Sequence, residues 1–297
     1  MPIELTVSFH GGSGGKNNLH VYPGGADVLE KGHPERDELR GFALGLHADS
    51  DHLYVVNAHK SLSQILRYRS NADGGYGHGE IWASDHLHHP FDAAWGSDGN
   101  LYVSNQDTTS NGNIRITVYQ GPGGERPGRY VGCFAEGFST LRGIAWAGDT
   151  LYVADEGGGA DGTGGVSLYD QAGTSQGSFA VRKPVHVLYD GSRYVYIGSS
   201  HENAVYVYDT TGMVSQRPAQ LLQSTEDVPI DAVSGLAIVP SDETTYLFVG
   251  DRKGRAINRY VLDASADPPT ASGATVWLSN LPDRPEFLGM LGSGSLN

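Results

Sequence analysis

The sequence predicts an all-β fold, a six-bladed β-propeller, from three observations. A strand-start motif recurs along all 297 residues, and its third position, here named the axial position, returns every 43 to 52 residues, a spacing typical of propeller blades. The axial residues are Gly41, Asp92, Gly143, His186, Gly235 and Phe287. Segments of the Leu-Tyr-Val type follow each motif and alternate with the period of a strand. The 10 residues after Phe287 and the first 41 residues together restore a spacing of 51, which indicates a closed ring.

Each blade is predicted to contain four short strands, and the second blade shows this most clearly. Its strands are expected at 90–95, 101–105, 113–119 and 129–134, with Gly99 supplying the positive φ of the first hairpin turn. The predicted blades of this single domain cover about 40–84, 89–134, 141–180, 183–223, 233–279, and 284–297 combined with 3–30.

The two chain ends are predicted to share the closing blade. Residues 285–289 supply its inner strand, and residues 5–9, 19–22 and 27–29 supply the other three. Such pairing leaves the ring without open strand edges, which are otherwise prone to aggregate.

The charge of the chain limits its partners. Its formal net charge is −14, and this field repels nucleic acid phosphates and anionic membranes. We therefore expect a small-molecule ligand, no nucleic acid or membrane partner, and a monomer.

Cysteine usage and the N-terminal residues bear on the compartment. Cys133 is the only cysteine, so no internal disulfide is possible, and we expect it to be a small buried residue in an outer strand. The first residues show no cationic and apolar signal-peptide pattern. A cytoplasmic location is therefore expected.

The repeats resemble those of the NHL-repeat and gluconolactonase-like six-bladed propellers over the whole chain. The likeness is carried by segments such as Arg142-Gly-Ile-Ala145 and Leu151-Tyr-Val-Ala-Asp155. It implies a pocket at the top face, where the inner strands begin. It also implies one divalent ion held by Glu, Asn and Asp side chains; Glu286 with Asp155 or Asp251 match in type, whereas the Pro-Asn-Gly motif that supplies the Asn is absent.

Two axial positions carry ionisable side chains instead of glycine. Asp92 in blade two and His186 in blade four could face the channel as a catalytic acid and base, or share a metal ion. Alternatively, each could form hydrogen bonds to a neighbouring blade.

Charged residues beside the axial positions are candidate substrate-binding groups. Arg40, Arg142 and Glu286 directly precede axial residues, and Arg252 follows a second strand, as do His10 and Glu156. The arginines could hold a carboxylate or phosphate group. They could equally pair with acidic loop residues.

A metal site is a further hypothesis. His59, Asp107 and His201 each lie two residues beyond the end of a second strand. Nitrogen and oxygen ligands of this kind suit zinc or iron, and carboxylates suit calcium, so the cofactor expected is one divalent ion.

Two functional hypotheses follow. The first is a small-molecule enzyme that performs acid/base or metal-assisted lyase, hydrolase or isomerase chemistry on an anionic substrate in the top-face pocket. The second is a propeller that binds a ligand or a protein on the same face without chemistry.

Overall fold

The computed structural model describes residues 4–10, 19–29, 39–44, 52–59, 62–72, 75–108, 112–159, 161–214, 216–241 and 244–290. In chain order its strands are β1 (Leu5–Phe9), β2 (Leu19–Tyr22), β3 (Ala26–Asp27), β4 (Leu39–Leu44), β5 (His52–His59), β6 (Leu62–Ser70), β7 (Tyr76–Ala83), β8 (Pro90–Trp95), β9 (Leu101–Asn105), β10 (Ile114–Tyr119), β11 (Tyr130–Phe138), β12 (Leu141–Ala147), β13 (Thr150–Asp155), β14 (Gly165–Tyr169), β15 (Ser175–Phe179), β16 (Pro184–Tyr189), β17 (Tyr194–Ser199), β18 (Ala204–Asp209), β19 (Ala219–Gln223), β20 (Val233–Pro240), β21 (Thr245–Asp251), β22 (Ala256–Asp263), β23 (Thr270–Leu278) and β24 (Pro285–Gly289). No helix in the described part of the chain has the length and apolarity needed to cross a membrane.

The strands form six four-stranded antiparallel sheets, which are the six blades of a propeller. Blades one to five contain β4–β7, β8–β11, β12–β15, β16–β19 and β20–β23, and the closing blade has the order β24-β1-β2-β3. The inner strands β4, β8, β12, β16, β20 and β24 contact one another in this order, and β24 contacts β4. The predicted all-β, six-bladed propeller is therefore confirmed.

The closing blade joins the two chain ends in one sheet. Strand β24 pairs with β1, so that Val7 lies opposite Leu288, and this confirms the predicted closure. The outermost strand, β3, covers only Ala26–Asp27, whereas residues 27–29 were expected. Leu29 lies beyond it and forms a single parallel bridge to Tyr76 of blade one.

The apolar core lies between neighbouring blades. One core cluster joins Tyr54 and Ile65 of blade one to Leu101 and Val103 of blade two, and all four side chains are buried. The second strand of each blade lies between two strands of its own sheet, and each of its faces packs against a neighbouring blade. This explains why the Leu-Tyr-Val segments are apolar at successive positions.

Cys133 does not belong to this core. It lies in β11, the outer strand of blade two, and its side chain is exposed, so the expectation of burial was wrong. The outer strand forms the rim of a blade, where Val131 is exposed as well.

Each inner strand begins with a shift of register against its neighbour. In blade two, Pro90 pairs with Asn105 but Asp92 pairs with Ser104, and the other five blades show a comparable irregularity at the same place. A β-bulge of this kind changes the direction of the side chains near it. The bulge of each inner strand lies where the axial side chains meet.

The axial residues alternate around the ring. Blades one, three and five carry glycine, whereas blades two and four and the closing blade carry Asp92, His186 and Phe287. A Cβ on Gly143 would lie 2.9 Å from the His186 Cα, and one on Gly235 would lie 2.8 Å from the Phe287 Cα. Real Cβ contacts are not this short, so blades three and five must carry glycine here, whereas a Cβ on Gly41 would lie 3.2 Å from the nearest atom, Asp92 Oδ1.

We predict that Leu288→Ala lowers the free energy of unfolding by about 2–5 kcal/mol, because it leaves a cavity where β24 packs on β1. Urea unfolding measures this change. Val131→Ala is the control, since its side chain is 59% exposed and its loss should cost under about 0.5 kcal/mol. Equal effects of the two substitutions would contradict the closure.

Candidate functional site

A cavity of about 480 Å³ opens at the face where the inner strands begin, and we name it the top pocket. Sites for small molecules have volumes of roughly 300–1,000 Å³. The residues that line it are Arg40, Phe91, Gln106, Arg142, Glu156, Lys183, Val185, Ser200, His201, Ala232, Val233, Arg252, Lys253 and Glu286. The pocket thus lies at the predicted place.

The top pocket is positive although the protein is strongly acidic. Five of its lining residues are cationic and two are carboxylates, which leaves an excess of three positive charges. The cations are Arg40, Arg142, Lys183, Arg252 and Lys253, and the carboxylates are Glu156 and Glu286. The whole chain carries a net charge of −14, so the lining of the pocket is opposite in sign to the protein as a whole, and it favours an anionic ligand.

Glu286 forms the centre of one charged cluster. Its Oε1 accepts hydrogen bonds from Arg252 Nε at 2.8 Å and from Arg40 at 3.4 Å, and it lies 2.7 Å from His10 Nδ1. Burial by itself raises the pKa of this carboxyl, but the His10 contact and the two guanidinium charges outweigh burial and lower its pKa to about 2. Glu286 is therefore ionised at neutral pH.

Arg142 belongs to a second cluster on the opposite side of the ring. Its Nε donates to Glu156 Oε2 at 2.7 Å, and its Nη1 donates to the side-chain oxygen of Gln106. Both contacts to Glu156 use the same oxygen, Oε2. Within the described residues, Glu156 Oε1 has no hydrogen-bond partner.

Phe91 lies between Arg40 and Arg142. Its ring centroid is 5.9 Å from the Arg40 Cζ and 5.2 Å from the Arg142 Cζ, which are cation–π distances. The ring also packs against Phe287 at 5.3 Å. Because Phe91 lines the top pocket and Phe287 lines a second cavity, this aromatic pair separates the two.

Lys183 has an unusual backbone conformation. It precedes Pro184 with φ at 43°, in the left-handed region that residues other than glycine rarely adopt. Its amide donates to the Thr163 carbonyl at 2.9 Å, and its own carbonyl accepts the Ser200 amide at 3.1 Å. Two backbone hydrogen bonds therefore hold an exposed lysine at the wall of the pocket.

Asp92 and His186 do not line the top pocket. They line the second cavity, of about 60 Å³, which lies further along the inner strands. Asp92 accepts the Ile144 amide at 2.9 Å and His186 Nδ1 accepts the Leu236 amide at 2.9 Å, so each bonds to the next blade. Their role as a catalytic pair stays a prediction, whereas their bonding between blades is what the geometry shows.

Burial changes the ionisation of both side chains. Burial raises the pKa of Asp92 to about 7, although the hydrogen bonds from the Ile144 and Ala93 amides act in the opposite direction. It lowers the pKa of His186 to about 4. At neutral pH the imidazole is uncharged, and because Nδ1 accepts a hydrogen bond, its proton is on Nε2.

The predicted metal ligands are not gathered by the described residues. His201 lines the top pocket, and Asp107 is exposed with its Oδ2 3.5 Å from His89 Nδ1. His59 ends β5, but its side chain lies outside the described residues. Within the described ranges no group of three or more His, Cys, Asp or Glu side chains could hold a metal ion, so the divalent ion stays a prediction.

The carboxylates implied by the resemblance have other partners. Asp155 accepts the amides of Ser139 and Thr140 at 2.9 and 2.7 Å, and Asp251 accepts those of Asp231 and Ala232 at 3.1 Å each. Each residue therefore holds the loop that leads into the inner strand of its own blade.

The sequence identifies most charged residues of the top pocket but not all. Arg40, Arg142, Arg252 and Glu286 all line it, and their binding of a substrate stays a prediction. Lys183 and Lys253 were not predicted. Lys183 directly precedes a strand-start proline, as His89 does in blade two. This shared position is the sequence pattern that could have identified it.

Known proteins resemble the chain in fold only. The chain matches no known protein family and no curated protein sequence. A chain of a nidogen/laminin complex aligns with a TM-score of 0.65 at 13% identity, covering 96% of this chain and 97% of that one. A periplasmic gluconolactonase from Pseudomonas aeruginosa aligns at 0.62 with 16% identity, covering 92% and 82%. A proposed 6-phosphogluconolactonase from Bacteroides fragilis aligns at 0.60 with 13% identity, covering 92% and 81%. The resemblance to gluconolactonase-like propellers is thus confirmed for the fold.

Asp92 and His186 should affect the pH dependence of stability in opposite directions. The folded-state pKa of Asp92, about 7, exceeds its unfolded value of 3.8, so its contribution to stability falls as pH rises from about 4 to 7. The folded-state pKa of His186, about 4, is below 6.5, so its contribution falls as pH drops from about 6.5 to 4. Each effect is on the order of 3–4 kcal/mol.

We therefore predict that Asp92→Asn, relative to wild type, gains stability as pH rises from 4 to 7. His186→Asn should gain stability, again relative to wild type, as pH falls from 6.5 to 4. Asparagine keeps an acceptor oxygen for the amide in both cases. Urea unfolding at a series of pH values measures both trends, and curves parallel to wild type would show that these groups do not titrate as described.

Proposed function

We propose that this protein is a hydrolase-type enzyme that acts on a small anionic molecule bound in the top pocket. The observation that carries the proposal is the concentration of five cationic side chains around one 480 Å³ cavity of a chain with net charge −14. Only two carboxylates, Glu156 and Glu286, line the same cavity.

The lining residues suit distinct roles in hydrolysis. Arg40, Arg142, Arg252 and Lys183 attract the anionic group and stabilise negative charge that develops on a substrate carbonyl oxygen. Glu156 is the proposed general base, because Arg142 holds its Oε2 and leaves Oε1 for a water molecule. The water proton passes to Glu156 and then to the leaving oxygen as the carbon–oxygen bond breaks.

An anionic sugar lactone is the substrate class that we propose. The lactonases among the structural neighbours support this class by fold alone. The pocket supports it by chemistry, since a lactone ring offers one carbonyl for attack and fits the available volume. The excess positive charge selects an acidic lactone over a neutral one.

A non-catalytic anion-binding propeller is the second candidate. The observation in its favour is that Arg40, Arg142 and Arg252 each pair with a carboxylate of the pocket, so the charged groups are already ordered. Such a protein would bind the anion and release it unchanged.

We predict that the purified protein hydrolyses 6-phosphogluconolactone faster than gluconolactone, both measured by proton release above the spontaneous rate. Glu156→Gln should lower kcat at least about 100-fold, the usual contribution of a general base, and should leave the affinity for the anion largely intact. Glu125→Gln is the matched control, because it removes the same charge at an exposed position outside the pocket.

The outcomes separate the two candidates. Binding of the phosphorylated compound without hydrolysis would favour the non-catalytic propeller. The same assay on Asp92→Asn and His186→Asn tests their predicted catalytic role, and unchanged kcat in both would assign the reaction to the top pocket alone.

A further inference from the structure

We infer that the second cavity is a binding site for a small organic cation that carries an ammonium group. The site is separate from the top pocket, because the aromatic pair of Phe91 and Phe287 lies between the two cavities. The walls of the second cavity and one buried carboxylate among them define this ligand.

The walls of the second cavity are largely aromatic and carry no cationic side chain. Neither lysine nor arginine occurs among the described residues that line it, in contrast to the five cations of the top pocket. The faces of aromatic rings attract ammonium groups. The aromatic residues of the lining, besides His186, are Phe42, Trp95, Trp146, Tyr189 and Phe287.

Asp92 lines this cavity as a buried carboxylate that forms no ion pair with any described residue. It is 6% exposed, and buried Asp and Glu side chains are usually paired with a cation. Its two oxygens accept one backbone amide each, from Ala93 at 2.8 Å and from Ile144 at 2.9 Å. A carboxylate has about four acceptor sites, so two remain. Glu286 shows the usual arrangement in this protein, with two guanidinium groups beside it.

Two other buried aspartates show how this fold stabilises a carboxylate without an ion pair. Asp155 and Asp251 each accept three backbone amides, and neither lines the second cavity. Asp92 accepts two, and its remaining acceptor sites lie beside a space that a ligand can occupy. A cation in this space would supply the partner that Asp92 lacks.

The size of the second cavity limits the ligand. Its volume is about 60 Å³. Since one water molecule needs roughly 10–15 Å³ of such space, the cavity holds a molecule of about four non-hydrogen atoms. In so small a cavity an ammonium group lies close to Asp92 and to several aromatic rings at once.

The second cavity opens toward the bottom face, the face where the inner strands end. Trp95, Trp146 and Tyr189 line it near the ends of β8, β12 and β16, and all three are partly exposed. The only cation in the turns that follow these strands, all of them described, is Arg193, which pairs with two carboxylates. The opening is therefore negative, which attracts cations. The acidic residues of these turns are Asp98, Asp149 and Asp190.

The charge of Asp92 makes binding dependent on pH. Tyr189 and His186 are the other titratable residues of the lining; burial raises the pKa of the first and lowers that of the second to about 4, so both are uncharged from pH 5 to 8. On the neighbouring inner strands, Arg40 and Arg142 line the top pocket instead. Since the pKa of Asp92 is about 7, its carboxylate forms as pH rises, and the cation binds more tightly at high pH.

Propylamine and 1-propanol, which have the same number of non-hydrogen atoms, are compared by tryptophan fluorescence at pH 8 and constant ionic strength, since Trp95 and Trp146 line the cavity. At this pH propylamine is a cation and Asp92 is ionised. Propylammonium should bind at least about tenfold more tightly, the contribution of one charge-assisted hydrogen bond. Asp92→Asn should remove this advantage and leave the propanol affinity within about twofold, because asparagine keeps an acceptor oxygen. Asp149→Asn, which removes the same charge from an exposed turn of the same face, should preserve the advantage.

A pH series on the wild-type protein needs no substitution, so it decides the matter even if Asp92→Asn fails to fold. The advantage of propylammonium should disappear as pH falls from 8 to 5, and an advantage that persists at pH 5 would overturn the inference. Equal affinities at pH 8, or no binding of either compound, would overturn it as well. Loss of the advantage in Asp149→Asn would assign it to the charge of the bottom face, with the same consequence. None of these outcomes depends on anion binding, so the proposed function is tested separately.

Discussion

Space at the propeller axis is the constraint on which the rest of this structure depends. Six inner strands converge there, and at Gly143 and Gly235 a Cβ would come within 3 Å of the neighbouring backbone. Glycine in alternate blades removes this conflict, and the side chains of the other three blades fill the space that remains. In this space Asp92 and His186 each accept a hydrogen bond from a backbone amide of the following blade. Glycine-bearing and side-chain-bearing blades therefore alternate, and two of the junctions between them carry a hydrogen bond at the axis.

The alternation of glycine at the axis also organises the top pocket. Blades one and three present Arg40 and Arg142 directly before their axial glycines, on either side of the Phe91 ring. Blade five has the smaller Ser234 at the corresponding position, and its guanidinium comes instead from Arg252 at the end of the second strand. Every glycine-bearing blade thus contributes one arginine to the pocket.

The fold could be predicted from the sequence, because spacing and strand alternation are local patterns that repeat six times. The pocket was harder to predict, since its properties depend on distances between blades. Asp92 and His186 illustrate the difficulty. Their departure from glycine suggested chemistry, which stays a prediction, whereas their hydrogen bonds to the Ile144 and Leu236 amides depend on contacts between blades that the sequence does not show. Lys183 was not predicted because its place at the pocket wall depends on how blades three and four meet, through its amide bond to the Thr163 carbonyl, and this is not visible in the sequence.

The pocket departs from the three-fold regularity of the axis in one respect, its carboxylates. Glu286 in the closing blade binds two of the three arginines, and Glu156 binds the third. The corresponding residues of the other side-chain-bearing blades are Phe91 and Val185, which carry no charge. Five cationic side chains and two carboxylates line the pocket, so its lining carries more positive than negative charge. Charge that the fold does not neutralise is available to a ligand.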